Sequence, residues 1–289
     1  MALKYIFVNL KRFDVPPESG GVNRLATPDK WAGAIVSSVC PGLEKYPKDK
    51  VAFTFFFPEA HVAQAAAARG GSSLVVGCQG VHWDDLAQGG NFGAFTTSRP
   101  AAAMAALGCQ AVIIGHCEER RALAAVLAEG GVTGDAALAA VNRILSKEIA
   151  AAKGRNLAIL YCIGEKAEEQ DRWQEVLEAQ IEAGLSAAGS AAGDGKLVIG
   201  YEPVWAIGPG KTPPDRAYIE KIARFVKEKA KLPVVYGGGL KADNAAMLAS
   251  IPEIDGGLIA LTRFTGEIGF YPEEYLEIAG LYLGEALKS

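Results

Sequence analysis

Leu197-Val198-Ile199-Gly200-Tyr201-Glu202-Pro203-Val204-Trp205-Ala206-Ile207-Gly208-Pro209-Gly210-Lys211 is the stretch on which the reading of the chain turns. It begins with an unbroken apolar run, the pattern of a strand covered on both faces. Pro203 has no amide hydrogen to give a ladder, so pairing is expected to stop before it. Glu202 precedes that proline and is biased to extended backbone, which puts one carboxylate at the strand's C-terminal mouth. Val204, Trp205, Ala206 and Ile207 can then exclude water, while Gly208 and Gly210 can absorb backbone rotation or bring amides to an anion. Together these features outline a buried general base under a mobile lid. A strand ending in a surface glutamate and a Gly-Pro turn fits the same letters, so the choice rests on the remaining residues.

Similar apolar runs recur at residues 5–8, 51–57, 74–76, 111–114, 157–163, 234–236 and 258–261. Most are separated by Ala-, Glu- and Lys-rich segments of helical character, such as 172–185 and 216–231. Continuous strands alternating with helices imply parallel pairing with both sheet faces covered. Eight such units predict a closed (β/α)8 barrel, read as one catalytic domain over residues 1–289. An open doubly wound sheet is the competing architecture, but Asn9-Leu10-Lys11-Arg12-Phe13 stands where its Gly-rich fingerprint would follow the first strand. Residues 16–21 read as a surface loop and 187–195 as a helix-strand connection, whereas the Ala-rich tracts 65–68 and 101–106 read as helix formers.

The chain has 289 residues, half of them hydrophobic, and a net charge of -4 with signs interspersed. That composition supports a sizeable core and offers no basic footprint for nucleic acid. No run has the length of a membrane span, and the amino-terminal apolar run is too short for a signal peptide. Five cysteines without a CxxC pair read as small, mostly buried thiols in a reducing cytosol, so a cytoplasmic protein is expected.

In a barrel, chemistry gathers where strands end at the C-terminal face. Four stations lie there: Asn9 and Lys11, two apart and so on one face of the strand's extension; Gly115-His116-Cys117-Glu118-Glu119; Glu202; and Tyr236-Gly237-Gly238-Gly239. Each has a plainer role: Lys11 as a solvated loop residue, His116 as a structural cap, the glycines as a tight turn. A metal site on His116-Cys117-Glu118 is disfavoured, because adjacent side chains point apart and no second ligand cluster is suitably spaced. Neither a metal nor a cofactor is expected. What joins the stations is one reaction: moving a proton between carbons of a hydroxy-carbonyl compound needs a base, an electrophile at the oxygens and a grip on a charged substituent. Glu202, His116, Lys11 with Asn9, and the Gly-rich turns supply these in turn.

With those residues in place, the chain resembles the triosephosphate isomerase family. The matching segments are Asn9-Leu10-Lys11, Gly115-His116 with Glu118, Cys162-Ile163-Gly164-Glu165, residues 201–211, Tyr236-Gly237-Gly238 and Asp255-Gly256, all in the family's order. The resemblance implies a cofactor-free isomerase of a small phosphorylated sugar, interconverting dihydroxyacetone phosphate and glyceraldehyde 3-phosphate. Glu202 would be the base, neutral His116 the electrophile, Lys11 and Asn9 the oxyanion and phosphate partners, and Glu118 the residue orienting Lys11 or His116. The phosphate grip would fall to Gly208, Gly238, Gly239, Ala260, Leu261 and Arg263.

Three departures qualify that picture. Where the family has adjacent glycines after strand eight, this chain reads Ile259-Ala260-Leu261-Thr262-Arg263-Phe264; Arg263 is expected to compensate with a forked contact to an anion. Residues 91–96 resemble the tip of the family's loop that inserts into a neighbouring subunit, but Thr97 and Ser98 follow instead of Gly-Glu, and Glu119 stands before Arg120 where the family has an arginine. Loss of both members of a charge pair is coherent, so a homodimer with a modified interlock is expected. Pro209 fixes one torsion between the lid glycines, and the chain is long between its first two strands. Two other functions compete: a paralogous isomerase of a longer ketose phosphate, such as a tetrulose phosphate, and a non-catalytic phosphometabolite-binding barrel, which would have no need of a base.

Overall fold

The computed structural model describes residues 2–189, 195–208 and 210–287. Eight parallel strands close in sequence order: β1 (Lys4–Asn9), β2 (Val51–Phe57), β3 (Val75–Cys78), β4 (Ala111–Ile114), β5 (Ala158–Ile163), β6 (Leu197–Tyr201), β7 (Val234–Tyr236) and β8 (Gly256–Ile259). Helices α1 (Pro28–Leu43), α2 (Glu59–Ala68), α3 (Ala101–Ala106), α4 (Cys117–Glu129), α5 (Gly134–Gly154), α6 (Trp173–Ala188), α7 (Arg216–Ala230), α8 (Ala245–Ala249) and α9 (Pro272–Ala286) lie between and after the strands. The (β/α)8 barrel read from the sequence is therefore the observed fold, and both Ala-rich tracts are helical. Pro209 and residues 190–194 of the expected connection lie outside the described residues. No described helix is long and apolar enough to cross a membrane.

The continuous apolar strands reflect two buried layers. Tyr5, Phe7, Phe56, Ile113, Leu160, Val198, Val235 and Leu258 fill the barrel interior, while Ile6, Val8, Phe55, Ile114, Ile199 and Val234 pack against the helices. Inside, Tyr5, Phe7 and Phe56 stack with ring centroids 5.9 and 5.8 Å apart. Because side chains alternate along a strand, the inward series Tyr5, Phe7 runs on to Asn9, and Val198, Gly200 runs on to Glu202. Period two thus delivers two polar residues to the same barrel mouth.

The long segment after β1 is fastened rather than loose. Asp14 accepts a forked pair of bonds from Arg12, at 2.9 and 2.8 Å, and lies 3.1 Å from Nε2 of His61 on α2. Burial alone would raise the Asp14 carboxyl, but Arg12 and His61 hold it down to about 2. The same segment reaches the loop after β8, where Arg24 donates to the Ile268 carbonyl at 3.2 Å.

Closure of the barrel depends on Gly256, paired in register with Tyr5. A Cβ at Gly256 would fall 1.8 Å from the Tyr5 carbonyl oxygen, backbone that cannot yield cheaply. Gly256→Ala is expected to lower stability by about 1–3 kcal/mol, the range for overpacking, read as a lower urea midpoint; a variant as stable as the parent would show that this contact does not limit closure.

Candidate active site

Glu202 leaves β6 through a bond from its own amide to the Ile163 carbonyl at 2.8 Å. Its slot exists because two neighbours lack side chains. A Cβ on Gly164 would meet the Glu202 carbonyl oxygen at 1.9 Å, and one on Gly237 would meet Glu202 Cγ at 2.7 Å. The carboxyl is 1% exposed. Its Oε2 accepts the Cys117 amide at 2.8 Å, so the first turn of α4 donates to it. Burial pushes the carboxyl above its ordinary range, with His116 and the Cys117 amide pulling the other way.

His116 caps α4: its Nδ1 accepts the Glu118 amide at 3.3 Å. The structural role weighed from sequence is thus present, and an accepting Nδ1 leaves the proton of a neutral ring on Nε2. Nε2 lies 3.2 Å from Glu202 Oε1, a contact without hydrogen-bond alignment, so Oε1 is buried without a donor among the described residues. The His116 side chain is 12% exposed and lines a cavity of about 610 Å³ together with Asn9, Lys11 and Gln79.

Asn9 and Lys11 reach this site by a different route from the one expected. The strand does not continue. Instead Lys11 takes the left-handed conformation at φ 42°, and its amide donates to Asn9 Oδ1 at 3.0 Å. The polar side chain turns the backbone, so the two residues are brought together by a local bond rather than by strand alternation. Gln79 secures the turn by donating to the Lys11 and Phe56 carbonyls at 3.0 and 3.2 Å. Lys11 Nζ then meets Glu118 Oε1 at 2.7 Å. Burial opposes ionisation of Glu118, but the Lys11 ammonium outweighs it and holds that carboxyl below its usual range.

The segment after Glu202 is tied down at its start. Glu165 Oε1, wholly buried, accepts from Trp205 Nε1 at 2.8 Å, Tyr201 hydroxyl at 2.9 Å and Tyr218 hydroxyl at 3.1 Å. Burial raises the Glu165 carboxyl despite these donors. Gly208 and Gly210 lie beyond, exposed at φ 122° and 74°. Ile207 and Gly208 face Lys11, Cys117 and Glu118 across a cavity of about 820 Å³.

The other end of the mouth is less regular. Gly237 gives its amide to the Tyr201 carbonyl at 2.6 Å, whereas the amides of Gly238, Gly239, Ala260 and Leu261 meet no acceptor among the described residues. Those of Thr262 and Arg263 are occupied by the Gly269 carbonyl, both at 3.1 Å. The Arg263 guanidinium is also engaged: Nε lies 2.7 Å from Glu274 Oε1, and the group stacks 3.8 Å above Tyr271. The structure therefore brings Asn9, Lys11, His116, Glu118 and Glu202 together and holds Arg263 against α9.

Sequence reasoning gave no role to Glu165, Gln79 or the Asp14-His61 pair, whose partners are remote in the chain. Arg99 and Glu119 both border Gly80 without forming an ion pair among the described residues, and Glu119 accepts the Gly115 amide at 2.5 Å.

Comparison with known proteins agrees with this geometry. The family profile described as Triosephosphate isomerase matches residues 30–267. The triosephosphate isomerase of Nitrosomonas europaea is 34% identical over 214 residues, covering 70% of this chain and 75% of that protein. That of Thiobacillus denitrificans is 37% identical over 214 residues, covering 70% and 77%. The crystal structure of triosephosphate isomerase from Bartonella henselae superposes with a TM-score of 0.69 over 97% of this chain and 99% of that one, at 23% identity, a likeness of fold. By profile and by curated relatives alike, the chain belongs to the triosephosphate isomerase family.

Proposed function

We propose that the chain is a cofactor-free aldose-ketose isomerase that interconverts dihydroxyacetone phosphate and glyceraldehyde 3-phosphate through an ene-diolate. The observation that carries this reading is the buried, undonated Oε1 of Glu202 lying 3.2 Å from His116 Nε2, with Lys11 placed by Asn9 and Glu118. Glu202 takes the proton from the substrate carbon, its basicity raised by burial. Nε2-H of neutral His116 donates to the carbonyl oxygen and then passes protons between the ene-diolate oxygens. The Lys11 ammonium stabilises the developing oxyanion. Amides of Gly238, Gly239, Ala260 and Leu261, with Gly208 from the lid, hold the phosphate. Segment 203–208 closes over the cavity, and Trp205, fixed on Glu165, serves as its anchored end.

Glu202→Gln keeps the shape and removes the base, so turnover of the three-carbon ketose phosphate is expected to fall by roughly 10²–10⁴-fold; full activity in the variant would sink the mechanism. Running the parent on a four-carbon ketose phosphate beside it decides chain length, a faster rate there making the chain a paralogue.

Arg263 shapes the phosphate end through Tyr271 and Glu274. In Arg263→Ala, KM is expected to rise several-fold with kcat little changed, and unaltered kinetics would remove this role.

The working unit is proposed to be a cytoplasmic homodimer. Phe92, at φ 53° and 89% exposed on the loop after β3, presents an apolar tip that a partner would cover. Light scattering at micromolar concentration is expected to give twice the chain mass, and a monomer would count against the interlock.

A further inference from the structure

The proton-transfer pair has a third neighbour that the reaction does not use. A ring nitrogen of His116, Sγ of Cys117 and a carboxylate oxygen of Glu202 all lie within 4.8 Å of one another. The side chains of adjacent residues usually diverge. Here His116 is extended at φ -51° and ψ 145° while Cys117 opens the helix, and that bend turns both toward the end of β6. The third donor arrives from Glu202, a residue 85 positions away, rather than from Glu118. Two bonds fix the frame: the Glu118 amide on His116 Nδ1 and the Cys117 amide on Glu202 Oε2. They leave Nε2 and Oε1 as the free donor atoms, 3.2 Å apart without hydrogen-bond alignment, with Oε1 buried and undonated among the described residues; Sγ of Cys117 lies 3.9 Å from Nδ1 of the same ring.

We propose that His116, Cys117 and Glu202 form a capture site for a thiophilic divalent cation of the zinc class. Bonds of about 2.0–2.3 Å from one tetrahedral ion place donors roughly 3.3–3.7 Å apart, so the nitrogen and oxygen already stand close to the required spacing and only the thiol must rotate inward. Nitrogen, sulfur and carboxylate oxygen suit zinc, cobalt or cadmium, whereas magnesium and calcium prefer all-oxygen shells. Charge balances as well. On binding, the Cys117 thiol releases its proton to solvent, and thiolate, carboxylate and neutral imidazole together neutralise a dication. The Lys11 ammonium nearby is itself compensated by Glu118 at 2.7 Å. Cys117 lines the cavity beneath Ile207 and Gly208, and His116 lines a second cavity of about 610 Å³ beside Asn9 and Lys11, so the ion can approach along either. An ion there occupies the carboxylate and the imidazole at once. Binding rests on the donor set alone; the inhibition that follows from it rests on the isomerase reading above.

Cobalt(II) is the direct probe. Added to the full chain without substrate, one equivalent is expected to develop a thiolate-to-cobalt charge-transfer band in the near ultraviolet. Cys117→Ser, which exchanges a single atom, should abolish that band and weaken zinc(II) binding in calorimetry by at least roughly tenfold. Glu202→Gln should weaken zinc(II) binding as well. Cobalt binding with no thiolate band, or a band and zinc affinity unchanged in Cys117→Ser, overturns the site. In the parent protein, zinc(II) should suppress isomerisation and a chelator restore it; zinc bound with turnover intact would refute the inhibition while leaving the site standing. Absence of isomerisation from metal-free protein would count against the proposed activity and not against the metal site.

Discussion

The crowding of three strand ends around Glu202 is the constraint on which the site depends. Gly164 at the end of β5 and Gly237 at the end of β7 each stand where a methyl group would strike Glu202, at 1.9 and 2.7 Å respectively. The carboxyl is consequently held by backbone on both sides and not by a flexible neighbour. Backbone is also what sets its distance to His116, because β4, β5 and β6 are joined in register. Packing of this kind does not deform continuously, and misplacing a reacting group by an ångström is costly to a proton transfer. The barrel thus contributes more than a scaffold: the spacing between the Glu202 carboxyl and the His116 imidazole is a property of the closed sheet.

Much of this was legible in the residues because it is local. Continuous apolar runs marked all eight strands, and those at 51–57, 111–114, 197–201 and 234–236 match the observed bounds. The run at 258–261 was read two residues late, since the ladder begins at Gly256, a residue with no apolar side chain to announce it. Glu202 and His116 were legible because a proline and a helix start punctuate the chain beside them. Lys11 was placed beside Asn9, but its left-handed turn depends on a side-chain bond that periodicity does not encode. Glu165, His61 and Gln79 acquire their partners only when distant segments meet, so no spacing rule could have assigned them.

Glu119 shows how a carboxylate can be tied to the backbone at a strand end. A carboxylate at Glu119 accepts the Gly115 amide, which an arginine in that place could not do. The cost falls on Glu148, whose carboxyl is buried against Glu119. Burial and that neighbouring acid push Glu148 up to about 9, and burial raises Glu119 too. Burial and mutual repulsion oppose ionising both acids at once. Arg99 and Arg120 limit the penalty, the latter also donating to the carbonyls of Gly115 and Cys162 at 2.9 and 3.0 Å. The strand end leading to His116 is thereby braced by a polar cluster.

The same separation into halves governs how far the chain has diverged. Its unusual loops, after β1 and after β8, pack on each other through Arg24 and Ile268, and the second is closed on itself by Arg263 and Gly269. Neither loop supplies a group to the contact between His116 and Glu202, which rests on β4, β6 and the start of α4. Side chains could accumulate at Ala260 to Arg263 without moving the base, because no strand register links the two ends of the mouth directly. Under the proposed isomerisation, the proton-transferring half is held by close backbone contacts and tolerates little, whereas the anion-binding half is built from loop amides and side chains that can be rearranged in pairs. Reaction type is accordingly the more tightly constrained property of this barrel, and the choice of phosphorylated substrate the more adjustable one.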